Sequence, residues 1–318
     1  MSADTAMVDI AVDWTAADHF STALTMSPQK WELYRDEPGF KVACSRLMTA
    51  IGPSVFESLR GYAVLTIKPE GWIDGVFPRV TDFLERNGFE VVGTFRSQLT
   101  PIMIRDIWRH SWNVAAVERI ELSELLLSLG PTYGFLLRDT APVEGVPASV
   151  RLARIKGPAL SERQVPGQLR HELRAPCRIV TYVHIPDEPA DIIRDLSVLL
   201  EPGELVRLLA STLEAEPARL DLDLATPADA ARVDDALPGV GPVCEPGDSL
   251  WRRVHLMKAA FARHVEGARL PRTLWRDMLE LCTEVSALPT PGAKRVEPLA
   301  DVGLTGEAVP AGHERPSS

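Results

Sequence analysis

The chain has no close cysteine pair: Cys44, Cys177, Cys244 and Cys282 are widely separated and form no C-x-x-C motif. Neither a zinc site nor a disulfide framework is therefore indicated. It also lacks a long apolar run, since no stretch approaches the roughly 20 residues that a membrane-spanning helix needs. Lys and Arg are missing from the first twenty residues, MSADTAMVDIAVDWTAADHF, which excludes the basic start of a secretory signal. Positive charge is scarce throughout: 34 Lys+Arg stand against 44 Asp+Glu, a formal net charge of −10. That balance argues against gripping nucleic acid by bulk charge. The expectation is a protein of a reducing compartment, the cytoplasm, without a membrane or nucleic-acid partner.

What is present is ordinary globular material, with 45% hydrophobic and 25% charged residues over 318 positions. A length of that size suggests two domains of about 150 residues each. There is no internal repeat and no heptad array.

The first sixty residues read as helical. Asp13 or Thr15 is placed to cap a short helix, and Ser27-Pro28 is a cap followed by proline at the first helical position. A further helix is expected over Phe40 to Met48. From Tyr62 the grammar changes. Tyr62-Ala63-Val64-Leu65-Thr66-Ile67 is a short continuous apolar run with β-branched members, which predicts a buried strand. Lys68-Pro69-Glu70-Gly71 reads as a turn, and Asp74 as the cap of an amphipathic helix ending at Gly88. Strands are expected at Phe89–Phe95, Tyr133–Leu137 and Arg178–Val183. Between them come a helix from Pro101, with Ile102, Ile104, Ile107 and Trp108 turned inward, and another over Ser123–Leu129. Asp187 to Leu200 reads as an acid-capped helix. The order is that of an α+β, ferredoxin-like (split βαβ) antiparallel sheet with helices on one face. No strand is expected in 201–288, where Glu204–Leu213, Pro227–Leu237, Ser249–Glu266 and Pro271–Leu288 all read as helices. Residues 289–318, rich in Pro, Gly and Glu, predict a disordered tail.

Three places suit chemistry. Lys68 ends a buried strand, where a fixed ammonium can face an anion. His184 leaves the fourth strand ahead of the acid-capped helix, and a neutral imidazole is able to attack a phosphoryl group near its ordinary pKa of about 6.5. Pro166-Gly167-Gln168-Leu169-Arg170 delivers an arginine after a turn, with Arg151, Arg154 and Lys156 upstream. Each of these alone also fits a bland structural role.

Taken in order, the segments of residues 62–200 resemble the nucleoside diphosphate kinase family. The likeness is carried by Tyr62 to Gly71, similar to that family's strand ending in K-P-[DE]-G, and by Asn87-Gly88-Phe89-Glu90-Val91-Val92-Gly93. It continues in Leu129-Gly130-Pro131, in Pro166 to Arg170, and in Val183-His184 with Asp187 and Asp195 beyond. Trp108, 40 residues after Lys68, falls where the family has a nucleobase-stacking tyrosine. The resemblance implies a ping-pong phosphotransfer, with ATP or another nucleoside triphosphate, and Mg²⁺, as donor. His184 would carry the phosphoryl group to a nucleotide or specialised small-molecule acceptor. Asp195 would orient the imidazole, while Lys68, Arg170 and Arg154 would neutralise phosphate charge. Trp108 would hold the base and Thr181 would lie near the sugar. A homo-oligomer is also implied.

The chain departs from the family pattern at several positions. Ile185-Pro186 replaces Gly-Ser after the histidine. Thr181 stands for an asparagine and Ala159 for a phosphate-binding threonine. Ala153 falls on the second phosphate-binding arginine, so that Arg154 or Arg151 must take its place. A second base-stacking aromatic is missing from 115–121. The expected organisation is a helical extension over 1–61, a catalytic domain over 62–200, a helical region over 201–288 and the tail. The competing expectation is a catalytically degenerate nucleotide-binding or scaffold module of the same fold.

Overall fold

The computed structural model describes residues 20–112, 115–214 and 226–289. Its centre is a four-stranded sheet of β1 (Tyr62–Ile67), β2 (Phe89–Ser97), β3 (Thr132–Asp139) and β4 (Val183–His184). The strand order is β2-β3-β1-β4, and every neighbouring pair is antiparallel. This is the split-βαβ order that the alternation of elements predicts, and the α+β class stands.

All six residues of β1 are buried, which explains why the strand reads as a continuous apolar run instead of an alternating one. Helices accordingly cover both faces of the sheet, not one as expected. Successive side chains point to opposite faces. Ala63, Leu65 and Ile67 enter one core with the Phe77–Arg86 helix and the C-terminal helices Leu250–His264 and Arg272–Ser286. Tyr62 and Val64 enter the other, with Pro28–Tyr34, Pro38–Ala50 and Pro189–Leu199. Sequence before and after the sheet thus fills the two sides of its core. Ser27 caps Pro28–Tyr34, its side chain accepting from the Lys30 amide, as the Ser-Pro signal predicts.

Several local expectations are overturned. Asp74 caps no helix: its carboxylate accepts from Tyr182 Oη at 2.8 Å and Trp275 Nε1 at 2.9 Å, and the helix begins only at Phe77. Ile102 is 81% exposed, whereas Ile104 and Ile107 on the opposite side of that helix are buried. The fourth strand is Val183–His184 alone, because Tyr182 sits in the left-handed region at φ 64° and interrupts extension. Pro227–Leu237 forms no helix; Arg232–Val233 instead pairs in parallel with Arg269–Leu270. The expectations at Asp13 or Thr15 and in the tail beyond residue 289 lie outside the described residues.

Gly134 of β3 pairs with Phe95 of β2, and the Phe95 ring occupies the place a Cβ would take, 1.9 Å away. An aromatic ring laid across a strand glycine seals that row of the sheet. Gly134→Ala is therefore expected to displace the ring and cost about 1–3 kcal/mol, as overpacking does. Urea unfolding of the two proteins measures it.

Candidate functional site

His184 is placed by backbone first. It pairs with Thr66 of β1, and its entry is a three-residue turn closed by the Val183 amide on the Thr181 carbonyl at 2.7 Å. Tyr182, at the centre of this turn, holds a conformation that costs a non-glycine residue roughly 1 kcal/mol or more. It is fixed there at both ends. Its hydroxyl donates to Asp74, and its carbonyl accepts from the Lys68 amide at 2.9 Å. The carbonyl also lies 3.0 Å from where a Cβ on Gly71 would stand, so the glycine of Lys68-Pro69-Glu70-Gly71 permits the close approach.

The His184 side chain is 21% exposed, and its Nε2 lies 2.7 Å from Asp195 Oδ2. Asp195 stands on the Pro189–Leu199 helix, at 6% side-chain exposure. The Trp108 indole and the imidazole meet in a T-shaped arrangement with centroids 5.2 Å apart, and Trp108 stacks on Trp112 at 5.7 Å. His184, Asp195 and Trp108 are therefore together. With Nε2 engaged by a carboxylate, the favoured neutral tautomer carries its proton there and leaves Nδ1 with the lone pair.

The basic residues are arranged differently from the sequence expectation. Lys68 is buried: its Nζ meets Glu70 at 2.5 Å and donates to Thr181 Oγ1 at 2.8 Å. Thr181, expected near a sugar, is thus a buried partner of Lys68. Arg170 donates to the carbonyls of Gly157 at 3.0 Å and Val183 at 3.3 Å, and burial lowers its guanidinium to about 10. Lys156 donates to the Ile185 carbonyl at 3.0 Å and to Asp187 at 2.9 Å. Arg170 and Lys156 therefore hold the carbonyls on either side of His184, where sequence reasoning had assigned Arg170 to a phosphate. Arg154 lies exposed on the last turn of the Ala148–Lys156 helix, and no described contact joins it to His184. A cavity of about 390 Å³ bounded by Arg96, Asp229, Arg232 and Arg269 contains none of these residues.

Sequence reasoning missed the contribution of the N-terminal segment. Glu188 accepts from Thr25 Oγ1 and the Met26 amide, both at 2.7 Å, and lies 3.0 Å from Lys30. Lys30 and Tyr34 also reach Asp191, each at 2.5 Å. Burial alone would lower the Lys30 ammonium, but Asp191, Glu188 and Asp187 more than reverse this and hold it above its ordinary value. Partners more than 150 residues apart in the chain leave no local sequence signal.

Asp187 is subject to the same balance. Burial would raise its carboxyl, but Lys156 and Lys30 outweigh it and bring it from 3.8 to about 2. A carboxyl lowered by folding stabilises the native state above its unfolded value, and that contribution is lost as pH falls through the folded one. The side chain is 45% exposed, so solvent screening leaves about 1 kcal/mol. Acid titration of stability should therefore show Asp187→Asn less steep than wild type between about pH 4 and pH 2.

No family model matches the chain, and no curated protein matches it. Among solved structures it is similar to the nucleoside diphosphate kinase of Aquifex aeolicus, at 18% identity and a TM-score of 0.36, covering 44% of this chain and 94% of that one. It is likewise similar to a nucleoside diphosphate kinase family protein from Babesia bovis, at 14% identity and a TM-score of 0.36, covering 45% of this chain and 89% of that one. The chain is structurally similar to nucleoside diphosphate kinases over about 45% of its length, at low sequence identity.

Proposed function

We propose that the protein is a phosphotransferase that moves the γ-phosphoryl group of a nucleoside triphosphate through a phosphohistidine at His184. The observation that carries this reading is the pairing of a partly exposed imidazole with a buried carboxylate through Nε2, which leaves Nδ1 as the nucleophile. The order of motifs from Lys68 to Asp195 supports it. Nδ1 attacks the γ-phosphorus, the bridging bond to the β-phosphate breaks, and the nucleoside diphosphate leaves with that electron pair. The phosphorylated ring is cationic, and Asp195 stabilises it by accepting the Nε2 proton in a charge-assisted hydrogen bond. An acceptor oxygen then attacks phosphorus, the N–P bond breaks, and the neutral imidazole returns. The acceptor is a nucleotide or a specialised small molecule.

Magnesium belongs to the substrate. Among the described residues no three His, Cys, Asp or Glu side chains gather to hold a metal; an ion brought by the nucleotide would keep mainly phosphate and water ligands. Lys68, Arg170 and Lys156 supply positive charge around the histidine-bearing turn, and charges fixed in a poorly solvated place act at greater strength than in water. Trp108, stacked on Trp112 and set against the His184 ring, is the aromatic group that would hold a base.

One observation favours a second reading, a non-catalytic nucleotide-binding or scaffold module: Lys68 and Arg170 are already engaged by protein groups. Incubation with γ-labelled ATP and Mg²⁺ separates the two. Phosphotransfer gives an acid-labile, base-stable phosphoprotein, absent in His184→Ala and formed roughly 10- to 100-fold more slowly in Asp195→Asn, where the ring loses its oriented acceptor. Equal labelling of His184→Ala, or tight nucleotide binding with no label at all, removes the proposal.

A further inference from the structure

Glu37 occupies the N-cap of the Pro38–Ala50 helix but its side chain makes no capping bond. Its Oε2 accepts from Arg194 Nε at 2.9 Å, and its Oε1 lies 2.5 Å from His110 Nε2. Burial would raise the Glu37 carboxyl, yet His110 and Arg194 hold it below its ordinary value. Arg194 has only 4% of its side chain exposed. It donates Nη1 to the Ile107 carbonyl at 3.0 Å and Nη2 to the Asp106 carbonyl at 2.6 Å. Those are the last two carbonyls before Trp108. The same Nη1 stands 3.6 Å from Asp195 Oδ1. One guanidinium thus borders both groups that touch the His184 ring, and its charge is answered by a carboxylate from the N-terminal segment.

We propose that Arg194 and Glu37 form a positioning pair for His184, fixing the Asp195 carboxylate and the Trp108 indole around the imidazole. The consequence for rate rests on the phosphohistidine reading; the geometry does not. Glu37 matters because an unanswered guanidinium beside Asp195 closes on it as a two-point ion pair. That rotation draws Oδ2 away from Nε2, and the Nε2–H tautomer loses its acceptor. The other charged groups near the ring do not replace Glu37. Asp187 is engaged by Lys156, Lys30 lies between Glu188 and Asp191, and Asp106, 3.7 Å from Arg194, is engaged by Arg109.

The test uses the full chain with ¹⁵N-labelled histidine, above the ordinary histidine range of about 6.5, where the ring nitrogens report the tautomer of His184. Its signals are assigned by their loss in His184→Ala. Glu37→Gln is expected to shift His184 from the Nε2–H toward the Nδ1–H tautomer and to slow labelling by γ-labelled ATP roughly 10- to 100-fold. Glu37→Asp, with a shorter reach, moves both in the same direction by less, and carries the test should the glutamine variant not fold. Ser27→Ala loosens the same N-terminal segment through its helix cap and leaves both readouts in place. A wild-type tautomer in Glu37→Gln, or the same changes in Ser27→Ala, overturns the pair. A tautomer shift in a protein that takes no label at all upholds the pair and discards the phosphotransfer reading.

Discussion

A charge taken out of water must be met by an opposite charge or by several hydrogen bonds, or it costs several kcal/mol. The Pro189–Leu199 helix imposes this demand three times within five residues, since Asp191, Arg194 and Asp195 are all buried. The first two are met from the N-terminal segment and the third from the fourth strand. Lys30 and Tyr34 answer Asp191, Glu37 and two carbonyls answer Arg194, and His184 answers Asp195. The helix therefore packs in only one way: its apolar residues Ile192, Ile193 and Leu196 join the core, while its polar ones fix where the N-terminal helices and the histidine lie. Removing one partner leaves a buried charge unanswered, which is more damaging than never having had the pair.

The backbone on the other side of the histidine is constrained just as firmly. Tyr182 in a left-handed conformation is an uphill element, kept by its phenol on Asp74 and its carbonyl on the Lys68 amide. Asp74 is in turn bonded to Trp275 of the Arg272–Ser286 helix. The C-terminal region thereby reaches the turn that launches His184, much as the N-terminal segment reaches Asp195. Positioning from two flanks is a way to hold a side chain on a strand of only two residues, which has little ladder of its own.

The sheet was legible because its signals are local. The run Tyr62–Ile67 names β1 to the residue, and Gly88 and Gly130-Pro131 punctuate β2 and β3 close to where they start. His184 and Asp195 were legible as a pair only through the resemblance in motif order, and the structure places Asp195 in the second turn of the helix that follows the strand. What failed was longer in range. The ammonium of Lys68 reads as a free cation until Glu70 and Thr181 are seen to enclose it. Asp74 has the residue type of a helix cap, and only the fold shows that Tyr182 and Trp275 claim it. Glu37 and Lys30 look like solvated charges of an amphipathic surface, since nothing within a helical turn announces a partner at 191 or 194. The short strand at Arg232 was hidden for the same reason, its partner Arg269 lying in a different segment.

Two histidines stand at the ends of one chain of charges, His184 on Asp195 and His110 on Glu37, with Arg194 between. Both are partly exposed and both face a carboxylate, so hydrogen bonding alone does not choose between them. Their surroundings do. His110 lies in the short Arg109–Trp112 helix beyond the C-terminal end of Pro101–Ile107, where Arg194 is shared between the Asp106 and Ile107 carbonyls and the Glu37 carboxylate. His184 lies on a sheet strand whose flanking carbonyls are occupied by Arg170 and Lys156. Those cations cancel the local backbone negative charge and leave a field that tolerates phosphate. On the phosphohistidine reading, the placement of basic side chains, more than their availability for direct contact, is what separates His184 from His110.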